Sequence, residues 1–479
     1  MPPLTRSSGG AVTRRATWNV FDMKTCRHGV LSGMRSALLR LAFLLAACSP
    51  AAAQSGRDEA IAWCEGQDVP NARVVAGCTW LIESGSEGFH GTAGAHARRG
   101  HARRRAGDRT AALEDYTAAI GFDRRNPAWW VDRGHALLDF DLGRAAADFS
   151  EAIKLSPNHA AAHRLRGDAK RLAGDPEGAI ADYTESIRLD PRSAETFCMR
   201  GSAKRDKGDW KGALADYSEA IRLRPGYADA YALRSSARDA LGDRAAAMAD
   251  VDEAIRLDPR NLLGFNNRGI LRYKGRDLIG AIADHSEAIR LDPSFVRAWH
   301  GRGNARSDFG DVEGGLADYS EAIRLEPDYM PSRVARAYTR RAAGDLEGAL
   351  DDYLVARRLR GAQGVLANLC VTRFRLGQRD EAMLDCRMAQ HQAAADDAWP
   401  FAMEAGVLLL GGDLAGAEAA LKEGMRREPD DGYVLCLRAV LYAKRNSVPE
   451  AGRRAFIDKH IGPWWEKKLR EVFGDDLLR

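Results

Sequence analysis

Residues 181–191 read Ala-Asp-Tyr-Thr-Glu-Ser-Ile-Arg-Leu-Asp-Pro, and residues 215–225 repeat the pattern as Ala-Asp-Tyr-Ser-Glu-Ala-Ile-Arg-Leu-Arg-Pro. The chain therefore contains an internal repeat with a spacing of 34 residues. A fixed period of roughly 20 to 50 residues is typical of folds in which similar supersecondary units stack on one another. The aspartate of the pattern recurs every 33 or 34 residues, at Asp115, Asp148, Asp182, Asp216, Asp250, Asp284, Asp318, Asp352 and Asp385.

Each repeat carries signals for one helix end, one helix start and one final stop. In most copies a Gly-Asp pair precedes the aspartate of the pattern, as Gly208-Asp209 precedes Asp216. Glycine tolerates the left-handed conformation that ends many helices, and aspartate caps the N-terminus of the next one. A proline such as Pro225 then follows the second helix and stops it. Each repeat is therefore predicted to be a helix, a tight turn and a second helix.

These motifs resemble the tetratricopeptide repeat family. In the unit that begins at Ala194, the matching residues are Phe197, Gly201, Ala213, Tyr217, Ala220 and Pro225. The resemblance implies an all-α fold, an α-solenoid of about ten helix-turn-helix units that is closed at both ends by helical caps. The expected units begin near Ala93, Pro127, Ala160, Ala194, Ala228, Leu262, Val296, Met330, Gln363 and Ala398.

The N-terminal sequence predicts export. After a short basic stretch, residues 41–47 are apolar but too few to span a membrane, which is typical of a secretory signal peptide. Cleavage is expected after Ala53, although Leu45-Ala46-Ala47-Cys48 resembles a lipobox that would instead lipidate Cys48 and anchor the protein. Five segments are predicted. Residues 1–33 are an unstructured stretch upstream of a start at Met34, and residues 34–53 are the signal peptide. Residues 54–92 form an N-terminal capping hairpin, residues 93–431 form the repeat array, and residues 432–479 form a C-terminal helical cap.

Composition and motifs argue against several classes of function. The chain is 45% hydrophobic and 29% charged, which excludes a multi-span membrane protein and a disordered one. Its 71 basic and 67 acidic residues give a charge of +4, but cleavage after Ala53 leaves 64 and 66, a charge of −2. Nucleic acid is therefore not an expected partner. No phosphate-binding loop, dinucleotide fingerprint, nucleophile elbow or zinc motif occurs, so no enzyme activity, cofactor or metal is predicted.

Six cysteines remain after the predicted cleavage, in a compartment where disulfides persist. Cys64 and Cys78 flank Val69-Pro70, where a helical hairpin is expected to turn, so they are predicted to pair. Cys370 and Cys386 would lie on the facing helices of one weak repeat and are also predicted to pair. The alternative is that all four are small buried hydrophobic residues.

Two patterns of arginine need an interpretation. One arginine recurs in the first helix of most repeats, together with the aspartate of the second helix, and the pair is interpreted as a structural ladder of ion pairs between helices. The first repeat also contains a cluster of six arginines within twelve residues: Arg98, Arg99, Arg103, Arg104, Arg105 and Arg109. This cluster is either a solvated face or a site for an acidic partner, a lipid headgroup or a cell-wall polymer.

The resemblance also implies where a partner binds, because in the family the first helices line a concave groove. The corresponding positions change from repeat to repeat while the packing positions do not, as expected of a frame with a variable binding surface. The predicted groove residues are Arg104, Asp168, Arg171, Arg205, Asn266, Asn267, Tyr273, Arg297, His300, Asn304 and Tyr338.

Some family members hold a C-terminal carboxylate with a clamp of Asn and Lys or Arg side chains. Asn267 and Arg297 match two elements of that clamp, but Ala232, Ser236 and Gly301 stand at the others, so the clamp is not expected. The sequence predicts an exported bacterial scaffold, periplasmic or secreted, that binds a protein or peptide in its groove. The alternative is a binder of envelope polymer or lipid surfaces through the arginine-rich first repeat, with lipidation of Cys48 as a means of anchoring it.

Overall fold

The computed structural model describes residues 50–85, 89–359, 364–446, 463–474 and 477. All regular elements in these ranges are helices, and they follow one another as helix-turn-helix pairs, so the predicted all-α solenoid class is confirmed. Residues 1–33, most of the predicted signal peptide, and Cys48 lie outside the described residues. Within the described ranges, no helix has both the length and the apolar character needed to cross a bilayer.

The chain divides into two compact units, and the first comprises residues 1–174. Its first two helices form a hairpin that is joined by the Cys64–Cys78 disulfide, with the two Cα atoms 4.8 Å apart. The helices of this unit are α1 (Pro50–Glu65), α2 (Asn71–Ser84), α3 (Phe89–Arg105), α4 (Arg109–Phe122), α5 (Pro127–Leu137), α6 (Leu142–Leu155) and α7 (Ala160–Leu172).

The second unit comprises residues 175–479. Several of its first helices begin at the residues expected from the repeat pattern, among them Ala194, Ala228 and Leu262. The described helices of this unit are α8 (Pro176–Leu189), α9 (Ala194–Asp206), α10 (Trp210–Leu223), α11 (Ala228–Ala240), α12 (Arg244–Leu257), α13 (Leu262–Lys274), α14 (Leu278–Leu291), α15 (Val296–Phe309), α16 (Val312–Leu325), α17 (Met330–Ala342), α18 (Leu346–Arg358), α19 (Val365–Arg375), α20 (Arg379–Gln392), α21 (Trp399–Gly411), α22 (Leu414–Arg427), α23 (Gly432–Arg445) and α24 (Pro463–Phe473).

In most repeats a Gly-Asp pair forms the turn between the two helices. Gly208 has a φ of 80°, in the left-handed region that glycine tolerates best. The Asp209 side chain accepts a hydrogen bond of 2.9 Å from the backbone N–H of Gly212 and caps α10. Such a cap contributes about 1 kcal/mol to helix stability. The same aspartate cap occurs at Asp108, Asp175, Asp243, Asp277, Asp311, Asp345 and Asp413.

The two helices of a repeat pack closely because a glycine faces an aromatic ring. A Cβ atom on Gly201 would lie only 2.9 Å from the ring of Tyr217, which is fully buried. A larger residue at 201 would therefore push α9 away from α10 and open the core. The same pairing joins Gly100 to Tyr116, Gly134 to Phe149, and Gly303 to Tyr319.

The predicted ladder of ion pairs is present within both units. The guanidinium group of Arg302, for example, donates to both carboxylate oxygens of Asp318, and the Asp318 side chain is 3% exposed. Two parallel hydrogen bonds to a buried carboxylate fix the distance and angle between the helices. The other pairs are Arg99–Asp115, Arg133–Asp148, Arg200–Asp216, Arg234–Asp250, Arg268–Asp284 and Arg336–Asp352.

The hairpin of α19 and α20 departs from this plan. Leu369 stands where the other repeats have the ladder arginine, and Asp385 pairs instead with Arg373 at 2.8 Å and with Arg357 at 3.4 Å. Burial raises the pKa of Asp385, whereas the ladder aspartate Asp115 has a lowered pKa because its hydrogen bonds with His96 and Arg99 outweigh burial. The ion pairing between the two helices is therefore weaker in this hairpin than in the other repeats.

A second disulfide joins the same two helices. Cys370 and Cys386 are both fully buried and form the expected bond, with the Cα atoms 5.2 Å apart. They occupy the positions that a glycine and an aromatic residue hold in other repeats, as Gly201 and Tyr217 do. Here a covalent bond replaces the close packing of a ring on a glycine.

Candidate binding groove

The first helices of the second unit line two adjoining cavities. The larger cavity has a volume of about 1170 Å³ and extends from Tyr273 to α24, and the smaller, of about 690 Å³, extends from Arg205 to Tyr329. Tyr273, His300 and Asn304 line both cavities. The two cavities therefore form one continuous surface, which we call the groove.

Eight of the eleven predicted groove residues lie at these cavities. Arg205, Asn266, Asn267 and Arg297 line the smaller cavity, and Tyr338 lines the larger one. With the three residues shared by both cavities, they come from four first helices, α9, α13, α15 and α17. 

The other three predicted residues belong to the first unit. Arg104 on α3 lies with its Nη1 atom 3.1 Å from Nδ1 of His135. Asp168 on α7 pairs with Arg164 one turn earlier, at 3.0 Å. Arg171, also on α7, is half-buried.

The centre of the groove is a fixed hydrogen-bond network. The Tyr319 hydroxyl donates to Oδ1 of Asn304 at 2.9 Å, which leaves the Asn304 amide N–H to donate to Nε2 of His300 at 3.1 Å. The other ring nitrogen of His300, Nδ1, then carries the proton and lies 3.2 Å from Oγ of Ser332. Burial lowers the pKa of His300 to about 4, so the ring is neutral at pH 7. The network holds these polar side chains in place for a ligand.

His285 is a groove residue that the sequence did not reveal as one. It takes the place of the second-helix aromatic residue and packs against Gly269 and Gly301, and it lines the smaller cavity. Its Nδ1 atom is buried without a hydrogen-bond partner. Burial, reinforced by the nearby His300 and Arg302, lowers the pKa of His285 to about 4.

Acid should destabilise the second unit through His285. Its pKa in the folded state lies below the ordinary value near 6.5, so the unfolded chain binds the proton first. The contribution of His285 to stability is full above about pH 6.5 and falls as the pH approaches 4, by about 2 kcal/mol between pH 7 and pH 5. Urea unfolding of wild type and His285→Tyr at both pH values measures this loss.

The tyrosine variant restores the ring found in most repeats and should remove about half of the acid sensitivity, since His300 contributes similarly. His391→Tyr, at an exposed position on α20, controls for the loss of a histidine. Full retention of the pH dependence in His285→Tyr would show that acid acts elsewhere.

Several residues of the larger cavity come from outside the expected positions. Lys467, Lys468 and Glu471 on α24 form one of its walls, and Trp399 on α21 forms another part. Because α24 is not part of the 34-residue pattern, no periodic signal connects it with the groove. Phe473 at the end of this helix packs on Gly406 of α21, and Trp465 packs on Gly432 of α23.

The arginine cluster of the first repeat is engaged in contacts within its own unit. Arg99 and Arg103 both bind the buried carboxylate of Asp115. The other four pairs are Arg98 with Glu65, Arg104 with His135, Arg105 with Asn71 and Arg109 with Asp139. The carboxylates of Glu65, Asp115 and Asp139 therefore offset part of the positive charge of the cluster, whereas Arg104 and Arg105 contact no acidic group in these pairs.

Among the described residues, no group of three or more His, Cys, Asp or Glu side chains is arranged to hold a metal ion.

Comparison with protein families gives three matches. A model described as "TPR repeat" matches residues 201–235. Two models described as "Tetratricopeptide repeat" match residues 141–194 and 228–261. Residues 141–194 and 201–261 therefore contain tetratricopeptide repeats. No curated protein sequence matches it significantly.

Solved structures similar to this repeat protein include MamA, YrrB and human IFIT1. MamA is 26% identical, and the match covers 34% of this chain and 94% of MamA with a TM-score of 0.29. YrrB, described as a TPR protein with an unusual peptide-binding site, is 20% identical over 39% of this chain and 96% of its own, with a TM-score of 0.29. A human IFIT1 dimer with m7Gppp-AAAA is 14% identical over 80% of this chain and 93% of its own, with a TM-score of 0.48.

The two residues that match the carboxylate clamp of some tetratricopeptide repeat proteins are used differently here. The Asn267 amide donates to the backbone oxygen of Ala232 at 2.8 Å and lies 3.1 Å from Oγ of Ser236, so neighbouring α11 already holds it. Arg297 is exposed at the smaller cavity and makes no ion pair within the described part of the chain. Of these two residues, only Arg297 is therefore available to bind an anionic ligand.

Proposed function

We propose that this protein is an exported, non-catalytic scaffold that binds a protein or peptide segment in the groove of its second unit. The observation that supports this most is the gathering of eight predicted groove residues around two adjoining cavities. Tetratricopeptide repeats commonly bind proteins and peptides, and proteins built from them are generally scaffolds.

The lining of the groove suits an extended or helical peptide. Tyr273 and Tyr338 provide flat apolar surface, and the side chains of Asn304 and Arg297 provide polar and cationic contacts. Aromatic walls with a few fixed polar groups are typical of sites that bind side chains by burial and orient the ligand by hydrogen bonds. Such a lining favours a peptide with apolar side chains and at least one carboxylate.

The arrangement of Ser332, His300 and Asn304 does not support catalysis. Their order resembles a nucleophile, a base and an orienting amide, but Ser332 is completely buried. The tautomer assigned from the hydrogen bonds places the proton of His300 on Nδ1, the atom that faces Ser332, so this nitrogen has no lone pair to accept the serine proton. The lowered pKa also makes His300 a weak base.

Export is supported by the two disulfides, because such bonds persist in oxidising compartments. The predicted signal peptide leads in the same direction and favours a periplasmic or secreted protein. Lipidation at Cys48 would give the alternative, a lipid-anchored envelope protein. Mass spectrometry of the mature protein distinguishes the two, because cleavage after Ala53 leaves Gln54 as the first residue, whereas lipidation leaves a modified Cys48.

Site-specific photocrosslinking tests the groove. A photoreactive amino acid at Arg297, which is exposed at the smaller cavity, should crosslink a partner in the cell envelope. The same amino acid at Ile279, which is 69% exposed on α14 and lines neither cavity, is the matched control. We expect a defined adduct at Arg297 that the Tyr273→Ala variant weakens about tenfold, since a buried aromatic contact contributes about 1.4 kcal/mol or more. Equal crosslinking at both positions would contradict binding in the groove.

A further inference from the structure

The C-terminal helix α24 lies against the groove side of the last repeats. It contacts three first helices, α17, α19 and α23. Four of its apolar side chains or those just beyond it are buried there: Leu469, Val472, Phe473 and Leu477. An amphipathic helix with its apolar face in a groove is one of the common modes by which proteins recognise helical segments.

Two glycines form niches for the aromatic side chains of α24. A Cβ atom on Gly406 would overlap the ring of Phe473, and one on Gly432 would overlap the indole of Trp465. Gly406 occupies the place in its repeat that Asn304 and Tyr338 occupy in theirs, so this niche belongs to the same row of positions that lines the groove. The surface is therefore shaped for aromatic side chains at defined points.

A third contact involves a carboxylate. The Tyr338 hydroxyl donates to Glu471 at 2.9 Å, and the ammonium group of Lys468 lies 5.8 Å from the centre of the Tyr338 ring. The guanidinium carbon of Arg341 lies 5.3 Å from the centre of the same ring. Arg341 is completely buried, and its Nε and one Nη atom have no hydrogen-bond partner. The positive charge beside Tyr338 therefore favours a carboxylate at this point.

We propose that α24 is a tethered ligand that occupies the site of an external partner helix. The partner would be a protein segment that forms an amphipathic helix, with an aromatic side chain for the Gly406 niche and a carboxylate for Tyr338. This rests on the proposed function and specifies its ligand. Displacement without a replacement would expose buried Leu469 and Val472 to water, so the incoming segment must itself bring an apolar face.

The position of α24 gives the displacement a consequence for the groove. Its residues Lys467, Lys468 and Glu471 form a wall of the larger cavity, which also contains Tyr273 and His300. A partner that removes α24 therefore opens the larger cavity at the same time. Because α24 is tethered, its effective concentration at the groove is high. An external partner must therefore bind tightly enough to compete with it.

Hydrogen exchange on the wild-type protein provides the first test. A displaceable helix undocks while the repeats remain folded, so its amides should exchange about 100-fold faster than those of α21. A permanent structural cap would undock only when the last repeats unfold. Equal protection of α24 and α21 would therefore overturn the proposal.

Peptide binding to full-length variants provides the second test. The probe is a fluorescent peptide with the sequence of residues 463–477, and its affinity is measured by anisotropy. Phe473→Ala weakens the tethered helix, so the probe should bind this variant at least about tenfold more tightly than wild type. Phe309→Ala removes an exposed ring on α15 and should bind the probe as wild type does. A probe that carries the Glu471→Gln change should bind several-fold more weakly.

The outcomes separate the two proposals. Equal probe affinity for Phe473→Ala and wild type, with unchanged helix content, would overturn the tethered ligand. A concentration-dependent dimer of the wild-type protein would show that α24 exchanges between copies, and this would overturn an external partner as the occupant. Absence of any adduct at Arg297 despite tight probe binding would contradict the proposed function and leave the tethered ligand intact.

Discussion

Replacing Asp318 with alanine should destabilise the second unit by about 3 kcal/mol or more, because two cations lose a buried counter-ion. Arg302 donates to Oδ2 at 2.9 Å and to Oδ1 at 2.7 Å, and Arg306 donates to Oδ2 at 3.0 Å. The Arg302 side chain is only 13% exposed, and it also lies over the ring of Trp299, so it cannot turn freely into solvent. Urea unfolding followed by circular dichroism at pH 7 measures the loss.

Glu321 on the same helix offers a matched control. It pairs with Arg324 at 2.6 Å, a shorter distance than any in the Asp318 cluster, but Arg324 is exposed and Glu321 is only half-buried. Its replacement by alanine should change stability by no more than about 0.5 kcal/mol. Because repeat arrays can unfold in parts, hydrogen exchange in α15 and α16 should localise the effect of Asp318→Ala. Similar losses for the two variants would show that burial does not set the strength of the ladder.

The repeat architecture could be predicted because its determinants lie close together in the sequence and recur. A cap such as Asp209 and a left-handed residue such as Gly208 act within one turn, and the Gly201–Tyr217 contact spans 16 residues of one hairpin. Each copy of the pattern is independent evidence for the others. Departures in single copies, such as His285, therefore did not obscure the fold.

The resemblance assigns candidate groove positions by their place in each repeat. The details of the groove could not be predicted. The pairing of His300 with Ser332 joins two repeats and depends on the exact height of neighbouring helices. The burial of His285 against Gly301 of the next repeat is likewise a contact between units of the pattern.

Nothing in the sequence predicted the surface on which α24 packs. Its contact with Tyr338 joins residues 133 positions apart, and no second copy of the helix exists within the described residues to reveal a rule. The apolar residues of α24 predicted that it would be buried, but not on which surface. A seal over the end of the array and a ligand in the groove require the same amphipathic helix.

The second large effect should come from the Cys370–Cys386 disulfide. Replacing both cysteines with alanine should destabilise the last repeats by about 3 kcal/mol, the value expected for a closed loop of this length in the chain-entropy model. The loss should be visible as faster hydrogen exchange in α19 and α20. It should also extend to α24, because Arg375 at the end of α19 lies against Gly474.

A rescue variant tests why the disulfide is there. In several other repeats a glycine and a tyrosine occupy these two positions, as Gly201 and Tyr217 do. Among the hairpins described from α9 to α20, only this one lacks the ladder arginine, because Leu369 stands in its place. If the bond substitutes for that packing, Cys370→Gly combined with Cys386→Tyr should recover more stability than the double alanine variant, because the ring fills the space that alanine leaves empty. Thermal unfolding of both variants with reductant present removes any contribution from other thiols. Equal stability of the two would mean that the space between α19 and α20 differs from that in the regular repeats, and that the disulfide does more than replace a ring.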